Sequence, residues 1–154
     1  MDLYEAALQK AADEGYKVIE NCNFESDAKG LIIGNKIGLS SKLQTTAEKR
    51  CVLAEEMAHA KLSSTDITDS SKWKSRHEEL KARRTSHDEL VGITGLIAAC
   101  KAGCNSLQEA ADFLNVTTEF LAAAITSYRE RYGNYITTQN YIITLCPIGV
   151  MNRF

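Results

Sequence analysis

The stretch CVLAEEMAHAKL, residues 51–62, places two adjacent carboxylates shortly ahead of a histidine. In an α-helix, residues i and i+4 share a face and lie about 6 Å apart along the axis, so Glu55 and His59 can ligate one ion. Glu56 then lies beside them, where it can take a proton from an attacking water. This is the logic of the HExxH motif, in which two histidines bind zinc and the Glu is the general base.

In this chain, Glu55 takes the place of the first histidine of that motif. Zinc accepts carboxylate oxygen at about 2.0 to 2.2 Å, so coordination is retained. A harder oxygen donor shifts selectivity toward ions such as Mn²⁺. The predicted cofactor is therefore Zn²⁺, with Mn²⁺ or another divalent ion as the alternative. Against this stands a metal-free helix surface, because EExxH is common in unrelated helices.

A third ligand is available about twenty positions downstream. The segment RHEELKARR contains His77, Glu78 and Glu79 on a second predicted helix. A second helix that supplies a Glu is typical of metalloproteases with this kind of site. The spacing therefore makes this helix the candidate source of the ligand.

Composition limits the function classes. The chain has 154 residues, enough for one domain, and 18 basic against 20 acidic side chains. A net charge of -2 lacks the positive excess that drives non-specific DNA binding. No apolar run approaches the roughly 20 residues of a membrane span. Five cysteines, an odd number, and an amino terminus without an apolar signal core indicate a cytoplasmic protein.

The first half of the chain predicts two helices around a hairpin. Apolar spacing followed by Gly15 predicts a helix at about residues 2–14. Two short apolar runs flank Gly34 and Asn35, which favours a tight hairpin turn. Thr45 or Thr46 can cap a second helix that carries EExxH to about residue 61.

The second half predicts further helices and closing strands. The polar segment SSTDITDSSKWKS, residues 63–75, is typical of a loop, and a helix resumes near Arg76 and runs toward an end at Gly103. Two more helices follow, with Ser106 and Thr117 as N-caps and a spacing that resembles a helix-turn-helix. The Thr-, Ile- and Tyr-rich tail favours one or two strands.

The segments GLIIGNKIGLSSKLQTTAEKRCVLAEEMAHAKL and RHEELKARR resemble the phage and mobile-element branch of the ImmA/IrrE family of metallopeptidases. In that branch a helix and a hairpin lead into a T..EKr.iLAEELGH helix, and a later ExxA helix supplies the third ligand. A small helical region follows. The resemblance covers nearly the whole chain and is strongest from Lys29 to Arg84.

The resemblance implies a role for each motif residue. Glu55 and His59 match the metal ligands of the first helix, Glu56 matches the catalytic Glu, and Glu79 matches the third ligand. The chain departs from the family pattern at two positions. Most members have His at the Glu55 position, although the Glu form resembles a recurring phage variant. Ala58 replaces the usual Gly.

The implied fold is α+β: a mainly helical, zincin-like metallopeptidase core with a small β-hairpin or sheet and a C-terminal helical region. One domain, residues 1–154, is expected, with the metal-site core in 1–90 and the helical region with short C-terminal strands in 91–154. The implied function is a metal-dependent endopeptidase of a phage or mobile element that cleaves or inactivates a helix-turn-helix repressor. The alternative is a metal-free or inactive module that sequesters the same repressor.

Other chemically active residues have simpler interpretations. Cys100 and Cys104 can ligate metal at i,i+4, but without further His or Cys nearby we expect buried small hydrophobes. His77 and His87 are expected on solvated helix surface. Trp73 is expected to pack onto the core. The helix-turn-helix spacing favours packing or repressor docking over direct nucleic-acid binding, because its second helix is apolar where base contacts are needed.

Overall fold

A computed structural model describes residues 1–63, 72–145 and 147–153, and for residues 63 and 72–75 it describes the backbone alone. This part of the chain forms an α+β structure of helices and two small sheets. Its helices are α1 (Leu3–Asp13), α2 (Thr46–Ser63), α3 (Lys72–Leu90), α4 (Gly92–Lys101), α5 (Leu107–Leu114) and α6 (Thr118–Tyr132). Its strands are β1 (Lys17–Cys22), β2 (Gly30–Ile33), β3 (Lys36–Ser40), β4 (Tyr135–Thr137), β5 (Tyr141–Leu145) and β6 (Ile148–Asn152).

The chain divides into two compact units, Met1–Ser86 and His87–Phe154. The division falls within α3, a few residues before the predicted boundary between 90 and 91. The expected single domain stays a prediction. None of the helices in the described ranges has the length and apolar character that a bilayer crossing requires.

In the first unit, the predicted helix and hairpin are confirmed. Asp2 caps α1 in a reciprocal capping box with Glu5, which satisfies backbone donors at the helix start. Strands β2 and β3 pair antiparallel around the predicted turn, where Gly34 takes a φ of +60°. A glycine adopts this positive φ without strain.

Strand β1 was not predicted from the sequence. It pairs in parallel with β3, so the sheet order is β1-β3-β2 and β2 lies at an edge. The inner face of this sheet carries Ile37 and Leu39, which are fully buried in one cluster with Leu53 and Met57 of α2. Strand β3 therefore seats the helix that carries the EExxH motif.

The structure differs from the sequence predictions at two places in the central helices. The expected loop at 63–75 includes residues 72–75, which belong to α3, while residues 64–71 lie outside the described part. The helix expected to run from Arg76 to Gly103 is two helices, because Gly92 takes a φ of +64° that interrupts the regular hydrogen-bonding ladder. Gly103 does follow the end of α4, as predicted, with a φ of +86°.

The second unit contains the two predicted capped helices. Ser106 accepts a hydrogen bond from the N–H of Glu109, and Thr117 accepts one from the N–H of Phe120. Between the helices, Asn115 adopts the left-handed conformation. The tail forms a three-stranded antiparallel sheet in the order β4-β5-β6, where one or two strands were predicted.

Candidate metal centre

The position of the EExxH residues follows from the way α2 is capped and buried. At its start the Thr45 hydroxyl accepts the N–H of Glu48, and the Glu48 carboxylate accepts the N–H of Gln44. These bonds satisfy donors that a helix start leaves unpaired. The buried face of the helix includes Leu53 and Met57, which pack on β3. The motif residues are left at the margin of this face, where all three are partly buried.

Helix α3 brings a second carboxylate to the histidine. The His59 Nε2 and Glu79 Oε2 atoms are 3.3 Å apart. Glu79 in turn accepts a hydrogen bond at 3.2 Å from Arg83 Nε, one turn further along α3. Side chains from two helices thus meet in one place. They are the imidazole of His59 on α2 and the carboxylate of Glu79 and guanidinium of Arg83 on α3.

Glu55 lies close enough to this group to interact electrostatically with it. Burial raises the pKa of the Glu55 carboxyl, while the charges of Arg83 and His59 lower it. The neighbouring carboxylates Glu56 and Glu79 raise this pKa further. Glu55 therefore interacts electrostatically with both His59 and Glu79.

Glu56 lies against strand β2. Burial raises the pKa of its carboxyl, His59 lowers it, and Glu79 raises it. A Cβ atom added at Gly30 would lie 2.9 Å from Glu56 Cγ and 3.1 Å from Glu56 Oε1. The missing side chain at Gly30 therefore leaves room for the Glu56 carboxylate between the helix and the edge strand.

Imidazole nitrogen and carboxylate oxygen are atoms that Zn²⁺ accepts as ligands. Two atoms bound to one tetrahedral zinc at about 2.0 to 2.1 Å lie about 3.3 to 3.4 Å apart. The His59 to Glu79 separation of 3.3 Å matches this spacing. Within the described residues, no three His, Cys, Asp or Glu side chains already form a group ready to hold a metal ion. Binding by Glu55, His59 and Glu79 therefore requires some side-chain movement from the arrangement seen here.

Sequence reasoning missed two residues of this site. Arg83 was recognised only as part of the RHEELKARR segment, although its i,i+4 spacing from Glu79 signals an ion pair on one helix face. Gly30 carries no signal of its own, because its closeness to Glu56 arises from the packing of β2 on α2. Arg83 donates a hydrogen bond to Glu79, and Gly30 leaves room for Glu56, so neither residue replaces a predicted carboxylate.

The remaining sequence candidates are His77, His87, Cys100, Cys104 and Trp73. His77 is exposed, as expected, but His87 is buried, and its ring contacts Phe120 edge to face at 5.0 Å. The prediction of a solvated His87 was therefore wrong. The sequence of α3 is rich in charged residues, so it does not indicate that His87 lies on a buried face. Cys100 and Cys104 are free thiols and only partly buried. The side chain of Trp73 lies outside the described residues.

The helix-turn-helix spacing has a structural counterpart in α5 and α6. The face of α6 that includes Phe120 and Leu121 is buried, while Glu119 and Ala123 are exposed near its start. The arginines of α6 lie in its last turn. An acidic and apolar beginning is poorly suited to contact base edges or phosphates.

No protein-family model, no curated protein and no solved structure matches this chain. The resemblance to the ImmA/IrrE metallopeptidases therefore rests on the chain's own residues and stays a proposal.

Proposed function

We propose that this protein is a metal-dependent endopeptidase of the ImmA/IrrE type, with Glu55, His59 and Glu79 as ligands of Zn²⁺ or Mn²⁺. The observation that carries the proposal is the 3.3 Å approach of His59 Nε2 and Glu79 Oε2. These residues are far apart in sequence and lie on different helices, so no local periodicity brings them together. When bound, a divalent ion supplies a Lewis acid that polarises the scissile carbonyl and lowers the pKa of water.

The chain's own residues have distinct tasks in peptide hydrolysis. Glu56 is proposed to accept the proton of the attacking water and to pass it to the leaving amine. Burial raises the pKa of the Glu56 carboxyl, which makes it a stronger base and brings it closer to the operating pH. Arg83 holds Glu79 in place through the hydrogen bond from its Nε. Its positive charge also favours the ionised form of Glu55.

Strand β2 offers a means of positioning the substrate. It lies at the edge of its sheet, and its first residue, Gly30, borders Glu56. An extended peptide that added to this edge as a further strand would pass beside the proposed general base. Leu31 and Ile33 are exposed along the same strand and offer apolar contacts for such a segment.

The proposed substrate is a helix-turn-helix repressor of the phage or mobile element that carries this protein, met in the cytosol. This assignment comes from the family resemblance. An edge strand accepts only an extended segment, so cleavage should fall in a flexible or locally unfolded part of the repressor.

One observation favours a second function, in which the protein sequesters the repressor without cutting it. Arg83 already supplies a positive charge to Glu79 and Glu55. The carboxylates therefore have a counter-charge from the protein itself, and the fold can persist without an ion. In that case the same surface binds the repressor, and metal has no effect on binding.

The two functions separate in one experiment. The purified protein is incubated with the repressor encoded beside it, with Zn²⁺, with Mn²⁺ or with a chelator, and fragments are mapped by mass spectrometry. Metal-dependent cleavage at a flexible segment supports the peptidase. Tight binding of intact repressor, equal with and without chelator, supports sequestration. If the repressor is neither cleaved nor bound, the assignment of the repressor as target is overturned.

A further inference from the structure

The second unit contains a cavity that the proposed peptidase chemistry does not use. It has a volume of about 370 Å³ and lies among α4, α5, α6 and the connection from β5 to β6. Its walls are mainly aliphatic, formed by Leu96, Ala110, Ala122, Ile125, Leu145 and Ile148. Small-molecule sites typically enclose about 300 to 1,000 Å³ and are apolar with few polar groups. The volume and lining of this cavity fall within that class.

The described lining of the cavity contains one charged residue. Among the described residues that line it, Arg129 is the only charged side chain, and none is acidic or aromatic. Arg129 lines the cavity and is also exposed on α6. A ligand that fits both features has an aliphatic body and a single negative charge.

Arg129 differs from the other cations of α4 to α6. Lys101 donates a hydrogen bond to the Tyr141 hydroxyl and lies 4.3 Å from the centre of that ring. Arg131 forms an ion pair with Asp88 at 3.0 Å. Within the described residues, the Arg129 side chain makes no such ion pair or hydrogen bond. With respect to the described residues, its donors are therefore open to a carboxylate, which a guanidinium can bind through two parallel hydrogen bonds.

We propose that this cavity binds an aliphatic monocarboxylate of medium chain length. The chain occupies the space between Leu96, Ile125 and Leu145, and the carboxylate pairs with Arg129. Burial of the chain provides the non-directional part of the affinity, and the Arg129 pair orients the ligand. The site lies within the second unit and does not depend on the proposed metal centre.

Calorimetric titration of the full-length protein with decanoate tests the charge. Arg129→Gln should weaken decanoate binding about 10- to 100-fold, the range for a hydrogen-bonded charged group. Lys101→Gln, which removes a cation already engaged by Tyr141, is the matched control and should bind as the wild type does. Decanol, with the same chain and no charge, should bind the wild type at least about tenfold more weakly. Equal binding of decanol, or no effect of Arg129→Gln, would overturn the proposal.

A second pair of variants tests the cavity itself. Ala122 lines the cavity and its neighbour Ala123 is exposed, so Ala122→Phe should abolish decanoate binding and Ala123→Phe should leave it unchanged. Decanoate should also slow iodoacetamide labelling of Cys100 and Cys104, which line the cavity, but not of Cys22 in the first unit. Binding that survives Ala122→Phe, or equal protection of Cys22, would place the ligand elsewhere.

Discussion

The first unit holds two groups of acidic side chains whose carboxyl pKa values move in opposite directions. Glu20 accepts a hydrogen bond from the Tyr4 hydroxyl at 2.6 Å and pairs with Lys49 at 3.1 Å. The Tyr4 hydrogen bond, and then the one from Lys49, hold the pKa of Glu20 below its ordinary value. At Glu55 and Glu56, burial raises the carboxyl pKa instead.

The difference separates a structural carboxylate from candidate functional ones. Glu20 has donors for its ionised form, so its charge stabilises the fold. The EExxH carboxylates are brought together and partly desolvated, which disfavours their charge, and Arg83 offsets this only in part at Glu55. Clusters of this second kind are common at catalytic and metal sites. The following predictions test this contrast, from the largest expected effect to the smallest.

Glu56→Gln should reduce the rate of repressor cleavage about 10²- to 10⁴-fold, the usual contribution of a general base, and should leave the metal content unchanged. Steady-state cleavage rates and elemental analysis measure the two quantities. Glu20→Gln is the control from the structural group. It should lower stability but keep the cleavage rate at temperatures where the variant is folded. A loss smaller than about tenfold for Glu56→Gln would make Glu56 a surface carboxylate.

His59→Ala should weaken metal binding by about 100-fold or more, because it removes a direct ligand, whereas loss of an outer partner costs about 10- to 100-fold. Competition titration with a chromogenic chelator measures the affinity. His77→Ala, an exposed histidine of α3, should bind metal as the wild type does. If His59→Ala retained the wild-type stoichiometry and affinity, the site would be misplaced.

Tyr4→Phe should lower the free energy of unfolding by about 1 to 2 kcal/mol at pH 7, because it removes a hydrogen bond to a charged group. The folded-state pKa of Glu20 is lowered, so this stabilisation is present above the unfolded pKa near 4.5 and is lost as the pH falls through the folded value. Denaturant melts at several pH values measure it. Tyr135→Phe, at an exposed tyrosine, is the control. A difference that grew in acid would contradict the assignment.

Glu55→Gln should slightly stabilise the metal-free protein at pH 7, and the gain is small because the site is partly exposed and Arg83 offsets part of the charge. The folded-state pKa of Glu55 is raised. Its contribution to stability is therefore complete below the unfolded pKa of 4.5 and is lost as the pH rises through the folded value.

The gain from Glu55→Gln should accordingly vanish near pH 4 in chelator-treated thermal melts. Excess Zn²⁺ should reverse the order of the two proteins at pH 7, because wild type gains a ligand-stabilised fold. Glu25→Gln, at an exposed loop carboxylate, should show neither effect. Destabilisation by Glu55→Gln in chelator would show that its charge already has sufficient partners.

Features governed by neighbouring residues were predictable from the sequence. The caps at Thr45, Ser106 and Thr117 and the hairpin at Gly34 were all confirmed, because each depends on backbone groups within a few residues. Non-local features were missed. Strand β1 pairs in parallel with β3, and β2 lies between these two strands in the sequence. No short-range pattern signals such a pairing.

Burial at the helix faces shows the same limit. His87 was expected to be solvated because α3 is rich in charge, yet it is buried against Phe120 of α6. The interruption at Gly92 was also missed, since glycine is tolerated within helices and only a positive φ turns it into a break. In both cases the missing information is a contact with a distant residue, Phe120 for His87 and the Tyr128 hydroxyl for the N–H of Gly92.

The spacing of Glu55, Glu56 and His59 determined by itself that two potential ligands share a face of α2 with a third acidic group beside them. Helix geometry is local, so this follows once the segment is helical. Only the tertiary structure decided that Glu79 reaches His59, that Arg83 joins them and that Gly30 leaves room for Glu56. The physical reason is that these approaches depend on how α3 and β2 pack against α2. Desolvation, which raises the pKa of Glu55 and Glu56, depends on the same packing.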